Sequence, residues 1–298
     1  MSRPRTVDWA AVADELEQLA RVRSAWQRAA ARWLAELTAD SPPRRILDVG
    51  SGPGVTTCLL ARQFPEAEVL AVDVQPELLA RAAALAGRLG LDARVRTRRL
   101  DLNDVTELPT ADLIWASSVV HHFGDQVAML ARLASRISPG GLLAVAEGGL
   151  PSRFLPRDTG IGRPGLQARL DALMEDWFTE RRHAAPGSVR RVDDWLALLA
   201  AAGLRPRRSR TFLVDLPSPL DDEARDHVRS MLARLRDLLA DRIEADDRAQ
   251  LERLLDPRAD EGVLRRPDVF VLAATTVHIA HTPATPPRPR TPAARATP

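Results

Sequence analysis

Ile46-Leu47-Asp48-Val49-Gly50-Ser51-Gly52-Pro53-Gly54 (ILDVGSGPG) sets three glycines at alternate positions behind an apolar run and an acid. Glycine loses more conformational freedom on folding than any other residue, so such a loop must serve something that side chains would obstruct. The apolar run reads as the end of a strand, and VTTCLLARQF (55–64) continues as a helix. A strand–loop–helix junction aims free backbone N–H groups and the positive end of a helix at whatever lies above the sheet. A ligand with an anionic group, seated on the carboxyl ends of the strands, is the expectation.

The spacing discriminates further. A dinucleotide fingerprint, Gly-x-Gly-x-x-Gly, requires glycine at position 55, where Val55 stands; here the pattern is Asp-x-Gly-x-Gly-x-Gly from Asp48 to Gly54. The next strand, VLAVDV (69–74), ends on Asp73, whose carboxylate can accept both hydroxyls of a ribose. The third ends RRLDLND (98–104) and sets Asp101 at the same rim, able to accept from an exocyclic amine. Three carboxylates at consecutive strand tips and one glycine loop outline a nucleoside with a charged tail.

Outward from the loop, short apolar runs at 45–49, 69–74, 94–98, 113–116 and 142–147 alternate with helical stretches at 55–63, 76–89 and 126–137. This rhythm predicts an α/β fold with a doubly wound, mostly parallel sheet covered on both faces. Before it, residues 7–37 read as one helix with Trp9, Val12, Leu16, Leu19, Val22, Trp26, Ala30 and Trp33 at three- and four-residue steps. After it come a loop at 151–165, helices at 166–182 and 192–202, a strand at 210–216, two charged helices within 221–256 and a strand at 269–279. The expected organisation is an N-terminal helical lid (1–40) and one domain (41–280). That domain has its core at 44–150, helical insertions at about 151–190 and 221–258, and a disordered tail after it (281–298).

With Asp48, Gly50, Gly52, Gly54, Asp73 and Asp101 in these positions, the chain resembles a class I S-adenosylmethionine-dependent methyltransferase. The resemblance is strong over residues 46–147 and looser beyond, and it implies a seven-stranded Rossmann-like sheet whose last two strands pair antiparallel at the edge. It implies that Asp48 and the three glycines hold the methionine portion of S-adenosylmethionine. Asp73 would take the ribose hydroxyls, and Asp101 with the backbone of Leu102 would meet the adenine. The segment ASSVVHHFGD (116–125) resembles the family's fourth motif in its small-molecule members.

Methyl transfer from a sulfonium is an in-line displacement, and a base is needed only where the acceptor must lose a proton. His121 and His122 are the candidates for that base, with helix capping or cofactor-pocket lining as the competing role. Glu147 faces either the acceptor or the loop amides. Ser117 and Ser118 stand where metal-dependent catechol-type relatives would want acids, so no metal is expected. His183, His227, His278 and His281 have no metal-ligand spacing and are expected at the surface. Arg153, Phe154 and Trp177, with Arg157 and Phe178, lie just after the fifth strand and are the expected acceptor contacts. The helices within 221–258 form either a pocket wall or a homodimer contact.

Composition removes other classes. All 42 basic residues are arginine, and with 40 acids the net charge is +2. Without lysine or tyrosine there can be no P-loop, no pyridoxal-phosphate Schiff base and no Tyr-x-x-x-Lys dehydrogenase. The arginine clusters RVRTRR (94–99) and RPRRSR (205–210) lack interleaved aromatics, so they read as solvated or sheet-edge charge and no nucleic-acid partner is expected. The single Cys58 reads as a buried structural thiol. No secretory signal or membrane span is visible, which makes a cytoplasmic protein acting on a small-molecule acceptor the expectation. A non-catalytic S-adenosylmethionine-binding protein is the alternative, and a nicotinamide-dependent oxidoreductase the weaker one.

Overall fold

The computed structural model describes residues 9–282. Of the segment expected to be a disordered tail, only His281 and Thr282 fall inside that range, and His281 ends a strand. Seven strands form one sheet in the order β3-β2-β1-β4-β5-β7-β6. These are β1 (Arg45–Val49), β2 (Glu68–Asp73), β3 (Val95–Arg99), β4 (Ala111–Ser117), β5 (Ile137–Arg153), β6 (Arg205–Leu216) and β7 (Val271–His281). β1 to β5 pair in parallel, and β7 runs antiparallel between β5 and β6. Strand order reverses between β1 and β4, which opens a crevice at their carboxyl ends.

Alternation along the central strands divides the core in two. Ile46, Leu113 and Trp115 point to one face, where they meet α2 (Ser24–Leu37), α3 (Val55–Gln63), α6 (Leu166–Ala184), α8 (Asp222–Leu238) and α9 (Ala245–Leu255). Leu47, Val49, Ile114 and Ala116 point to the other, against α5 (Gln126–Ala134) and α7 (Trp195–Ala201). Cys58 is buried in the first of these layers, and burial pushes its thiol up to about 11, the behaviour of an inert structural thiol.

Three elements depart from the sequence expectation. The N-terminal helix is two, α1 (Trp9–Val22) and α2, broken at Arg23; the start expected at residue 7 lies outside the described residues. β5 passes through register shifts around Gly149 and continues pairing with β7 as far as Arg153, so 151–153 are strand rather than loop. β6 begins at Arg205, five residues earlier than its apolar run suggests. It is an edge strand, and an edge tolerates charge that a central strand would not. β3 is the opposite edge, so the two arginine clusters guard the two ends of one sheet. α8 packs on α1 through an Arg21–Glu223 ion pair of 2.7 Å and turns Ala224, Val228 and Leu232 into the core. It therefore serves as a buttress behind the N-terminal helices.

Candidate active site

The glycine loop and the tips of β1, β2 and β4 line a cleft of about 440 Å³, a volume within the usual range of small-molecule sites. At its floor Asp48 is 2% exposed, and its Oδ2 accepts from Thr57 Oγ1 at 2.6 Å. Burial raises this carboxyl to about 7; the Thr57 hydrogen bond opposes the rise and the charge of Asp73 adds to it. Asp73 is held at both oxygens, Oδ2 by the Gly52 N–H and Oδ1 by the Gln75 N–H, each at 3.0 Å. Each oxygen keeps acceptor capacity for a ligand hydroxyl. Asp101 lies at the exposed rim with Oδ1 accepting from the Asn103 amide and side chain at 2.9 Å, beside the buried Leu102.

The three glycines do different work. A Cβ on Gly50 (φ +65°) would come within 2.2 Å of Val119 Cγ2, and one on Gly54 (φ +79°) within 2.5 Å of Ala82 Cβ in α4 (Pro76–Arg88). A Cβ on Gly52 (φ +54°) would meet only open space at the cleft. Gly54, expected among the ligand contacts, is thus required by the close approach of α4 and does not line the cleft. Beside Gly52, the Ser51 hydroxyl is buried in the lining without a hydrogen-bond partner among the described residues. An orphaned hydroxyl, an open glycine, a buried acid and a fixed acid fit a ligand that brings an ammonium and paired hydroxyls.

Above the loop, α1, Arg23 and α2 form a roof from Leu16, Leu19, Ala20, Arg23, Trp26 and Gln27. Gln27 Nε2 donates to Thr56 Oγ1 at 3.0 Å, and Trp26 lies 6.2 Å from Trp115 of β4, ring centre to ring centre. Trp33 instead packs on Phe212 in the core. Arg23 was not legible as a site residue from its type, but its position carries a signal. Residues 16, 19, 23 and 26 follow one helical stripe, and a charge on an apolar stripe marks a buried group.

The two histidines lie on a single 3₁₀ turn, Val120–His122, with ring centres 4.0 Å apart. Glu147, buried in β5 at its register shift, turns to the loop amides: its Oε1 accepts from the N–H groups of Val119 and Val120 at 2.9 Å and of His121 at 3.4 Å. Its Oε2 meets His121 Nδ1 at 2.7 Å. His121 is thereby committed to Glu147, with Phe178 on its other side at 5.4 Å. His122 lines the cleft, and desolvation, with the neighbouring His121 ring, holds it below the usual histidine range and so neutral at pH 7.

The expected acceptor contacts lie elsewhere. Phe154 is 2% exposed in the core, Arg153 is paired with Asp171 at 2.6 Å, and Trp177 packs at the core's margin under Arg181. None of them lines the cleft. The cause is the extension of β5: pairing of Arg153 with Leu272 carries the following segment along β7, away from the tips of β1 and β4. His227, expected at the surface, is buried in α8, and His278 is half-buried against Trp195 with Ser209 on its Nδ1.

A family model described as a methyltransferase domain matches residues 47–143. A trans-aconitate 2-methyltransferase of Methylobacterium radiotolerans is 31% identical over 277 residues, covering 83% of this chain and 92% of that one. The enzyme of the same name from Methylobacterium nodulans is 31% identical over 273 residues, covering 81% and 92%. Among solved structures, a candidate methyltransferase from Bacillus halodurans C-125 superposes with a TM-score of 0.52 at 15% identity, over 85% of this chain and 98% of that one, and so shares the fold.

Proposed function

The chain belongs to the class I S-adenosylmethionine-dependent methyltransferases, and from that premise we propose that it methylates a small-molecule acceptor, with His122 as the group that takes the proton where the acceptor carries one. The roof supports the small-molecule reading: a cleft covered by α1 and α2 suits a ligand that fits wholly beneath them. The relatives named for trans-aconitate point to the same class of acceptor.

S-adenosylmethionine, when bound, supplies a methyl group already activated on a sulfonium. In this reading Asp48 balances the donor's ammonium, Ser51 and the loop amides line its amino-acid end, Asp73 accepts from the ribose hydroxyls, and Asp101 with Leu102 borders the base. Glu147 fixes the 3₁₀ turn and orients His121, which sets His122 at the cleft. A neutral imidazole there can accept a proton from an acceptor O–H or N–H as the new bond forms. Asp48 and Asp73 keep the cleft charged towards the donor, and the roof excludes water from the reacting groups.

The test is transfer from labelled S-adenosylmethionine to a panel that includes trans-aconitate, phenols and amines, beside bulk protein and nucleic acid. Label is expected in a small acceptor; label only in protein or nucleic acid would overturn this reading. On a phenol or an amine, His122→Gln is expected to lower kcat about 10²-fold or more and to flatten its acid limb, whereas transfer to an ionised carboxylate, which has no proton to lose, should be unchanged. The variant's affinity for S-adenosylhomocysteine should stay within about twofold, since the base acts on the acceptor alone.

A further inference from the structure

The cleft contains an arginine whose charge no carboxylate balances among the described residues. Arg23, the hinge residue between α1 and α2, donates from Nη2 to Thr275 Oγ1 at 2.9 Å. Its Nε is buried with no hydrogen-bond partner. On α1, Asp14 and Glu17 pair with Arg81, and on the facing α8 Glu223 pairs with Arg21. Burial lowers the Arg23 pKa, with no carboxylate acting against it. The buried His227 nearby stays neutral, because burial and the charge of Arg23 push its imidazole down to about 4. A desolvated guanidinium held in this way is stable only at a cost, unless something anionic reaches it.

Its place across the sheet is informative. Asp101, Asp73 and Asp48 follow the tips of β3, β2 and β1, whereas Arg23 is tied to β7, on the far side of β4 and β5. Thr275 pairs there with Gly149 of β5, two residues beyond Glu147. The lining thus carries acids on one flank and a lone guanidinium on the other. Arginine presents a planar fork of donors that matches a carboxylate, with Nε and an Nη side by side.

We propose that Arg23 is a carboxylate-binding residue of the reaction cleft, a proposal that rests on the methyltransferase reading of this site. The position beyond β5 favours a carboxylate on the acceptor. The donor also bears one, on the carbon that carries its ammonium, and the experiment separates the two sources.

Binding to the full chain is measured by calorimetry for wild type, Arg23→Gln and Arg23→Lys. The probes are S-adenosylhomocysteine, 5′-methylthioadenosine (which lacks the amino-acid end), trans-aconitate and benzoate. If the acceptor carries the carboxylate, Arg23→Gln loses about tenfold or more in affinity for trans-aconitate or benzoate and keeps S-adenosylhomocysteine within about twofold. If the donor does, S-adenosylhomocysteine weakens about tenfold or more and 5′-methylthioadenosine is unchanged. Either pattern supports the assignment, and Arg23→Lys should fall between wild type and Arg23→Gln. Removing an uncompensated buried charge should leave the melting temperature no lower than that of wild type. Should Arg23→Gln fail to fold, Arg23→Lys decides with the same probes, because a lysine cannot reproduce the bidentate fork. Binding of every probe unchanged by the substitutions overturns the proposal. Wild type that binds neither nucleoside overturns the reading of the cleft itself.

Discussion

Asp48 shows how a residue proposed to meet the donor's ammonium can at the same time weaken the fold. A carboxyl whose pKa rises from 3.8 to about 7 on folding favours the folded state in full below pH 3.8. That contribution is lost as the pH climbs through 7, and the loss is on the order of a few kcal/mol. Asp48→Asn is therefore expected to gain melting temperature over wild type as the pH is raised from 5 to 8. The same variant should bind S-adenosylhomocysteine about tenfold more weakly at pH 8, because the partner for its ammonium is gone. Parallel melting curves at every pH would show that the carboxyl is not strained by burial. In wild type, donor affinity should decline below pH 7 as Asp48 takes up a proton. The acid was legible in the sequence as the last polar group of an apolar strand. Its burial was not, because the closing side of the pocket comes from α1 and α2, far away along the chain.

At the level of elements, the 3₁₀ turn Val120–His122 depends on a single carboxylate. Glu147 gathers three backbone N–H groups and one imidazole, so it acts as a cap supplied by a neighbouring strand. Glu147→Gln replaces one acceptor oxygen with an NH₂ that would face donors. Its expected cost is about 1–3 kcal/mol, read as a fall of several degrees in melting temperature. Affinity for S-adenosylhomocysteine should hold within about threefold, since Glu147 is outside the cleft lining; an unchanged melt would mean the cap is dispensable. The alternating strands and helices of residues 45–134 were legible because each has its own period, and α3 falls where the sequence placed it. The break at Arg23 was not, since Leu16, Leu19, Arg23 and Trp26 keep helical spacing across it. Nor was the reach of β5 to Arg153, which comes from pairing with a strand more than a hundred residues later. That extension also explains why Arg153, Phe154 and Trp177 miss the cleft.

For the molecule as a whole, the sheet has two open edges, and both are lined with arginine. Just before β3 the guanidinium of Arg94 spans the carbonyls of Ala61, Phe64 and Ala67 in and after the last turn of α3, and on β3 Arg98 and Arg99 bind carbonyls of Glu107 and Val74. On β6, Arg205, Arg207, Arg208 and Arg210 are exposed along a strand that pairs on one side only. Replacing these four with threonine is expected to leave the melting temperature within a few degrees and to produce concentration-dependent association in light scattering. A variant that stays monodisperse at high concentration would show that the cluster does not protect the edge. Charge on an edge is most often entrusted to lysine, whose amine can be acylated and whose proton can be removed in strong alkali. This chain has none, and a guanidinium keeps its charge at any pH where the protein stays folded. Its dispersal in solution should therefore be indifferent to lysine-directed reagents and to lysine acetylation.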